Sequence, residues 1–80
     1  MTIDMLISEV RKQGIPENWF SINGDLASDK LFLRNVHGRW EYFYFDERGN
    51  YNDIRWFEDE DSACKYLLEQ LKWLFDHHKC

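Results

Sequence analysis

The sequence offers few groups for covalent chemistry: two cysteines and three histidines in 80 residues. Cys64 falls within a helical pattern and Cys80 is the last residue, so no disulfide framework is implied. As a nucleophile Cys64 would need a histidine beside it; on an apolar helix stripe it reads more simply as core. His37 lies in an expected turn. His77 and His78 are adjacent, and neighbouring helical side chains diverge by about 100°, too far to share an ion. With Cys80 they form a His-His-x-Cys tail that reads as solvated chain rather than a metal site. A glycine-rich phosphate loop is lacking, and Glu47-Arg48-Gly49-Asn50 is a turn. The alternating Asp-x-Asp-x-Asn-Gly pattern of a calcium loop is also missing. No apolar run reaches the length of a membrane span, and Met1-Thr2-Ile3-Asp4 has no basic region of the signal-peptide kind. Repeats, linkers and low-complexity tracts are absent. The expectation is one domain over residues 1–80, cytoplasmic, without enzymatic activity, metal or cofactor.

Positive charge is scarce as well. Ten Lys and Arg face fifteen Asp and Glu, a net charge of −5. Nucleic acid and anionic membranes select a basic face, so neither is expected as a partner. If the charge is functional, it favours a basic macromolecule.

Aromatic residues, by contrast, make up 18% of the chain. They concentrate in Trp40, Tyr42, Phe43, Tyr44 and Phe45, where Trp40, Tyr42 and Tyr44 alternate with Glu41, Phe43 and Phe45. Period-two spacing and ring content predict a central strand with a neighbour on each side. Turn signals at His37-Gly38 and Glu47–Asn50 fold the chain back twice, giving an antiparallel meander. Its partners are Lys30–Asn35 and Tyr51–Phe57; the latter, with Asn52, Asp53 and Arg55, reads as an edge. Ile54 and Trp56 share one of its faces, and Asp53, Arg55 and Phe57 the other. Trp19–Ile22 is a brief further edge strand.

Two helices flank these strands. Thr2 caps the first, whose stripe is Ile3, Leu6, Ile7 and Val10, and Gly14-Ile15-Pro16 stops it. Asp59 caps the second, with a stripe of Ala63, Leu67, Leu71 and Leu74 widened by Cys64, Leu68 and Phe75. The predicted fold is α+β: a two-layer sandwich, an antiparallel sheet of three to four strands with both helices on one face, in the order α-β-β-β-β-α. That leaves one aromatic sheet face, Trp40/Tyr42/Tyr44 or Phe43/Phe45, with no helix to cover it.

The acidic run Glu58-Asp59-Glu60-Asp61 has a plain explanation in capping and in the helix dipole. Its functional reading joins Glu58, Glu60 and Asp61 to Asp46, Glu47 and Asp53 in one negative surface beside Tyr51 and Trp56. Those eight residues are the candidate partner-binding set, since hot spots combine aromatic anchors with a polar rim. The element order is also that of a double-stranded RNA-binding domain. That module needs basic residues where this chain has Glu58–Asp61, so RNA binding of that kind is excluded.

Three stretches carry a resemblance: Gly14-Ile15-Pro16 followed by Trp19 to Gly24; Trp40-Glu41-Tyr42-Phe43-Tyr44 leading to Glu47-Arg48-Gly49; and Phe57 leading to Ser62 through Glu69. Together they resemble small bacterial immunity proteins of polymorphic toxin and contact-dependent growth inhibition systems. The chain departs from that pattern at Phe45-Asp46 and Asp59. The resemblance implies a cytoplasmic antitoxin that binds the toxin domain of a cognate effector, often a nuclease, and silences it by stoichiometric occlusion. The competing reading is an acidic interaction module or adaptor that pairs weakly with itself.

Overall fold

In the computed structural model, which describes residues 1–24 and 26–77, two helices and four strands follow the expected order. They are α1 (Ile3–Gln13), β1 (Phe20–Ile22), β2 (Lys30–Val36), β3 (Arg39–Phe45), β4 (Tyr51–Phe57) and α2 (Glu60–His77). Asp25 and the His78 and Cys80 of the expected tail motif lie outside the described residues.

Local chemistry sets the helix ends. The Thr2 hydroxyl accepts the Met5 N–H, capping α1. Gly14 closes it at φ 76°, a left-handed value that costs glycine little, and Ile15 N–H donates back to the Val10 carbonyl. Ile15 thereby folds into the core, as its position after the glycine predicts. Asp59 accepts the Ser62 N–H at 2.7 Å and caps α2. Glu60 reaches across to accept the Ile3 N–H at 2.7 Å, so a residue of α2 satisfies an open donor of α1 and ties the two helix starts together.

The sheet order is β1-β2-β3-β4, with β3 central in the antiparallel meander. One feature departs from the antiparallel expectation: β1 pairs parallel to β2, so the sheet is mixed. Parallel strands usually need a long crossover. Here β1 has only three residues, so the 23–29 segment retraces only roughly 10 Å at strand spacing. Asn23, at φ 55°, turns the chain; its N–H donates to Leu33 O and its side chain accepts Asn35 N–H.

Both helices serve one face. Leu6 and Val10 of α1, Phe20, Leu31, Leu33, Trp40 and Tyr42 of the sheet, and Ala63, Cys64, Leu67, Leu68 and Leu71 of α2 form one buried cluster. Leu74 and Phe75, expected on the same stripe, are each 38% exposed. Leu74 lines an open cleft together with Leu31, Tyr42 and Tyr44 of the sheet, and Phe75 packs against Trp19 with ring centroids 6.0 Å apart.

Among the described residues no helix covers the opposite face, yet Phe32 and Phe43 on it are buried. They stack on each other at 5.1 Å and 10°. Phe45 meets Phe32 edge-on, Tyr51 packs on both Phe43 and Phe45, and the Arg34 guanidinium lies 5.1 Å over the Phe43 ring. Arg34 is held there by Glu41, with Nε 2.6 Å from Oε1. Among the described residues, no helix is long and apolar enough to cross a membrane.

A bulge governs which side chains of β4 reach this face. Tyr42 pairs with Arg55 but Tyr44 with Asn52, so β4 has one residue more than β3 between those pairs. Asp53 sits there at φ 54°, a conformation that Asp tolerates better than most residues. Strict alternation would place Tyr51 on the face of Arg55 and Phe57. The extra residue reverses that parity and brings Tyr51 to the face of Ile54 and Trp56.

A residue can therefore be core without a helix above it. Phe43→Ala should cost about 3–5 kcal/mol, comparable to Leu67→Ala beneath α2. Trp56→Ala, at a half-exposed position, should cost less than about 1 kcal/mol. Chemical denaturation of the three variants checks this ranking. A Phe43→Ala protein as stable as Trp56→Ala would show that the stacked rings contribute no core.

Candidate protein-binding surface on the edge strand

Strand β4 ends the sheet, and one of its backbone edges faces no other strand among the described residues. On its open face Tyr51, Ile54 and Trp56 are 44%, 47% and 48% exposed. The row is held from below. Tyr51 rests on Phe43 and Phe45, while Trp56 stands opposite Glu41 and packs against the Arg39 guanidinium, 5.7 Å from its ring. Two flat rings flanking a branched aliphatic, all anchored on a rigid sheet, make a compact apolar surface.

The eight residues singled out from the sequence do not gather into one patch. Asp46, Glu47 and Tyr51 lie at the β3–β4 turn, and Glu58, Glu60 and Asp61 follow the other end of β4. The length of the strand, roughly 20 Å, separates the two groups. Tyr51 and Trp56 do share the open face. Asp53 does not: it lies on the helical side with Arg55, as alternation expects, where it adjoins Tyr42 and Tyr44.

Several of these carboxylates also serve the fold. Asp46 accepts the Arg48 and Asn50 N–H groups at 2.9 Å and the Asn52 amide at 3.1 Å, and so organises the turn. Glu60 accepts the Ile3 N–H, and Asp61 pairs with the Met1 amino group and with Lys65. Glu47 and Glu58 remain exposed, one beyond each end of the aromatic row. The anionic contribution is thus two flanks rather than a ring, and the face between them also carries Arg34 and Arg39.

Ile54 was missing from the sequence-derived set, although its shared period with Trp56 marks it as a neighbour. Arg39 was missing too, and nothing local to its strand signals that it backs Trp56. For chemistry, the described residues hold no group of three or more His, Cys, Asp or Glu placed to share a metal ion. Cys64 is fully buried, and burial pushes its thiol up to about 11, so it is a packing residue rather than a ready thiolate. What the β4 face can do is associate non-covalently with another macromolecule.

The capping carboxylates give a pH signature. Backbone N–H bonds, chiefly from Asn50 to Asp46 and from Ser62 to Asp59, hold both carboxyls below the usual range. Their folded pKa values lie under the unfolded ones. The stability they contribute is therefore complete above about pH 4 and is lost as pH falls through the folded values. Asp46→Ala and Asp59→Ala should lower the melting temperature at neutral pH, and the gap to the unaltered protein should close in acid. Thermal melts monitored by circular dichroism across that range provide the check; a gap independent of pH would contradict the assignment.

In comparisons with known proteins, no family model matches the chain, and neither a curated protein nor a solved structure does.

Proposed function

We propose that this chain is an immunity protein: a cytoplasmic, non-enzymatic inhibitor that binds a basic toxin domain, one to one, and silences it by occlusion. The observation that carries the reading is the exposed Tyr51–Ile54–Trp56 row on a sheet-terminal strand. Large rings fixed by their neighbours lose little rotamer freedom on binding, which is what a central hot spot requires. The acidic flanks at Glu47 and Glu58, with a net charge of −5, favour a partner of opposite sign. A nuclease domain fits, because holding nucleic acid demands a basic surface. Electrostatic steering would speed capture before the toxin acts, and the aromatic row would set how long it is held. The immunity-protein resemblance of three stretches of the sequence points the same way.

Pairing of two copies through β4 is the alternative for the same row. The left-handed Asp53 and the bulge around it work against it, since an irregular edge is a poor template for a second strand.

The test is to mix the purified protein with the product of the adjacent upstream gene and follow binding and toxin activity. Trp56→Ala and Tyr51→Ala should each raise the dissociation rate, with Trp56→Ala reaching about thirtyfold, the scale of a 2 kcal/mol hot spot. Glu47→Lys with Glu58→Lys should instead slow association about fivefold to tenfold at low salt and flatten its salt dependence. Unchanged rates in both sets would place the interface elsewhere. Sedimentation showing a tight homodimer that Trp56→Ala dissolves would assign the row to self-association.

A further inference from the structure

On the helical side of β4, between the sheet and the last turns of α2, lies an open cleft of about 640 Å³. Trp19, Trp73, Tyr42 and Tyr44 are its aromatic lining, and Asp29 and Asp53 its two carboxylates. The volume falls in the range of ligand-binding pockets. No Lys or Arg is among the described lining residues, and the ring of His77, which also lines it, is stacked on Trp73 at 4.1 Å. Arg55 feels the charge of Asp53 but is engaged chiefly with the Tyr66 side chain.

The Asp29 carboxylate is set in place before any ligand arrives. Asp29 is at φ 59°, its N–H donates to the Phe45 carbonyl at 2.8 Å, and its Oδ1 accepts the Tyr44 hydroxyl at 3.0 Å. That bond, first among the causes, raises the Tyr44 pKa, so the phenol keeps its proton and the carboxylate acts as acceptor. Asp53 lines the same recess, with Tyr42 beside it. Two carboxylates lining a recess among aromatic side chains are complementary to a planar cation. Such a cation can stack on the rings while donating in the plane, which a guanidinium does better than a compact ammonium.

We propose that the cleft is the receptor for an arginine side chain of the basic partner inferred above, its guanidinium lying against the aromatic walls and donating to Asp29 and Asp53. The proposal rests on that reading for the source of the arginine. Continuity supports it: Asp53 of the cleft and Ile54 of the exposed row are consecutive residues of β4, so one partner can contact the open face and reach round the edge. The row would then supply apolar contact and the cleft a charge-specific anchor.

The decisive measurement needs no partner. The protein is titrated with N-acetyl-L-arginine amide while its indole N–H resonances are followed by NMR, with N-acetyl-L-citrulline amide as the neutral isostere. The expected result is a saturable shift at Trp19 and Trp73 for the arginine amide and affinity at least tenfold weaker for the citrulline amide. Asp29→Asn and Asp53→Asn should each weaken arginine binding severalfold. Trp73→Ala, at a position 58% exposed and hence safe for folding, should do the same, while Trp56→Ala leaves it unchanged. Equal responses to the two amides, or full binding by the Asp29→Asn/Asp53→Asn protein, would overturn the proposal. With a partner in hand the two readings separate. A complex weakened by Trp56→Ala but indifferent to the double aspartate variant overturns the cleft alone. Selective arginine-amide binding without any Trp56-dependent complex supports the cleft and removes the immunity reading.

Discussion

The structure depends on how β3 disposes of its rings. Trp40 and Tyr42 project to one face and Phe43 and Phe45 to the other, so both faces of the sheet need cover. A chain of 80 residues supplies two helices, enough for one face. The second face is closed by the strands' own side chains: Phe32 stacked on Phe43, Tyr51 against both phenylalanines of β3, and Arg34 laid across the top and fastened by Glu41. Arginine suits this place because its stem and planar head cover apolar surface while the charge stays paired and half in water. The result is a second, thinner core, and it is what makes the edge strand rigid enough to carry exposed aromatics.

The bulge in β4 then divides the labour of that strand. Without the additional residue, Tyr51 would point under α2 with Arg55 and Phe57, and Phe43 would lose one of its covering rings. With it, Tyr51 completes the thin core and extends the exposed row, while Asp53 keeps the helical side of Arg55 and lines the cleft. The shift of parity at the left-handed Asp53 thus separates Tyr51 from the cleft-side residues of its own strand. The same irregularity spoils β4 as a template for edge-to-edge pairing, which a long strand bearing Ile54 and Trp56 would otherwise invite.

What could be read from the sequence was what depends on neighbouring residues. Thr2 and Asp59 as caps, Gly14 as a stop, the centrality of β3 and the edge position of β4 all follow from local chemistry and periodicity. The parallel pairing of β1 could not be read, because the direction of a three-residue strand is decided by the turn at Asn23 and by the path of the loop after it. The expected burial of Leu74 and Phe75 failed because periodicity marks a stripe without saying how closely the sheet packs against each turn of it. The acidic surface was overdrawn for a related reason. Glu60 looks like a dipole-matching residue, but its partner is the Ile3 N–H, 57 positions away in the chain. Asp46 likewise is absorbed by its own turn. The cleft was invisible, since its walls come from the segment before β1, the loop before β2, three strands and the C-terminal end of α2.

These redistributions sharpen what binding at β4 would involve. Carboxylates that cap helices and turns are already hydrogen-bonded, so a partner cannot recruit them without loosening the fold; they contribute field rather than contact. The groups left for contact are of two kinds and sit on two sides of one strand: apolar rings in the open and a pair of fixed acceptors in a recess. Apolar rings alone would hold many surfaces with little discrimination. A partner that sealed the recess from water without supplying a cation would leave the Asp29 and Asp53 carboxylates poorly solvated, and that penalty, rather than the strength of the attractive contact, would separate a cognate partner from a merely basic one.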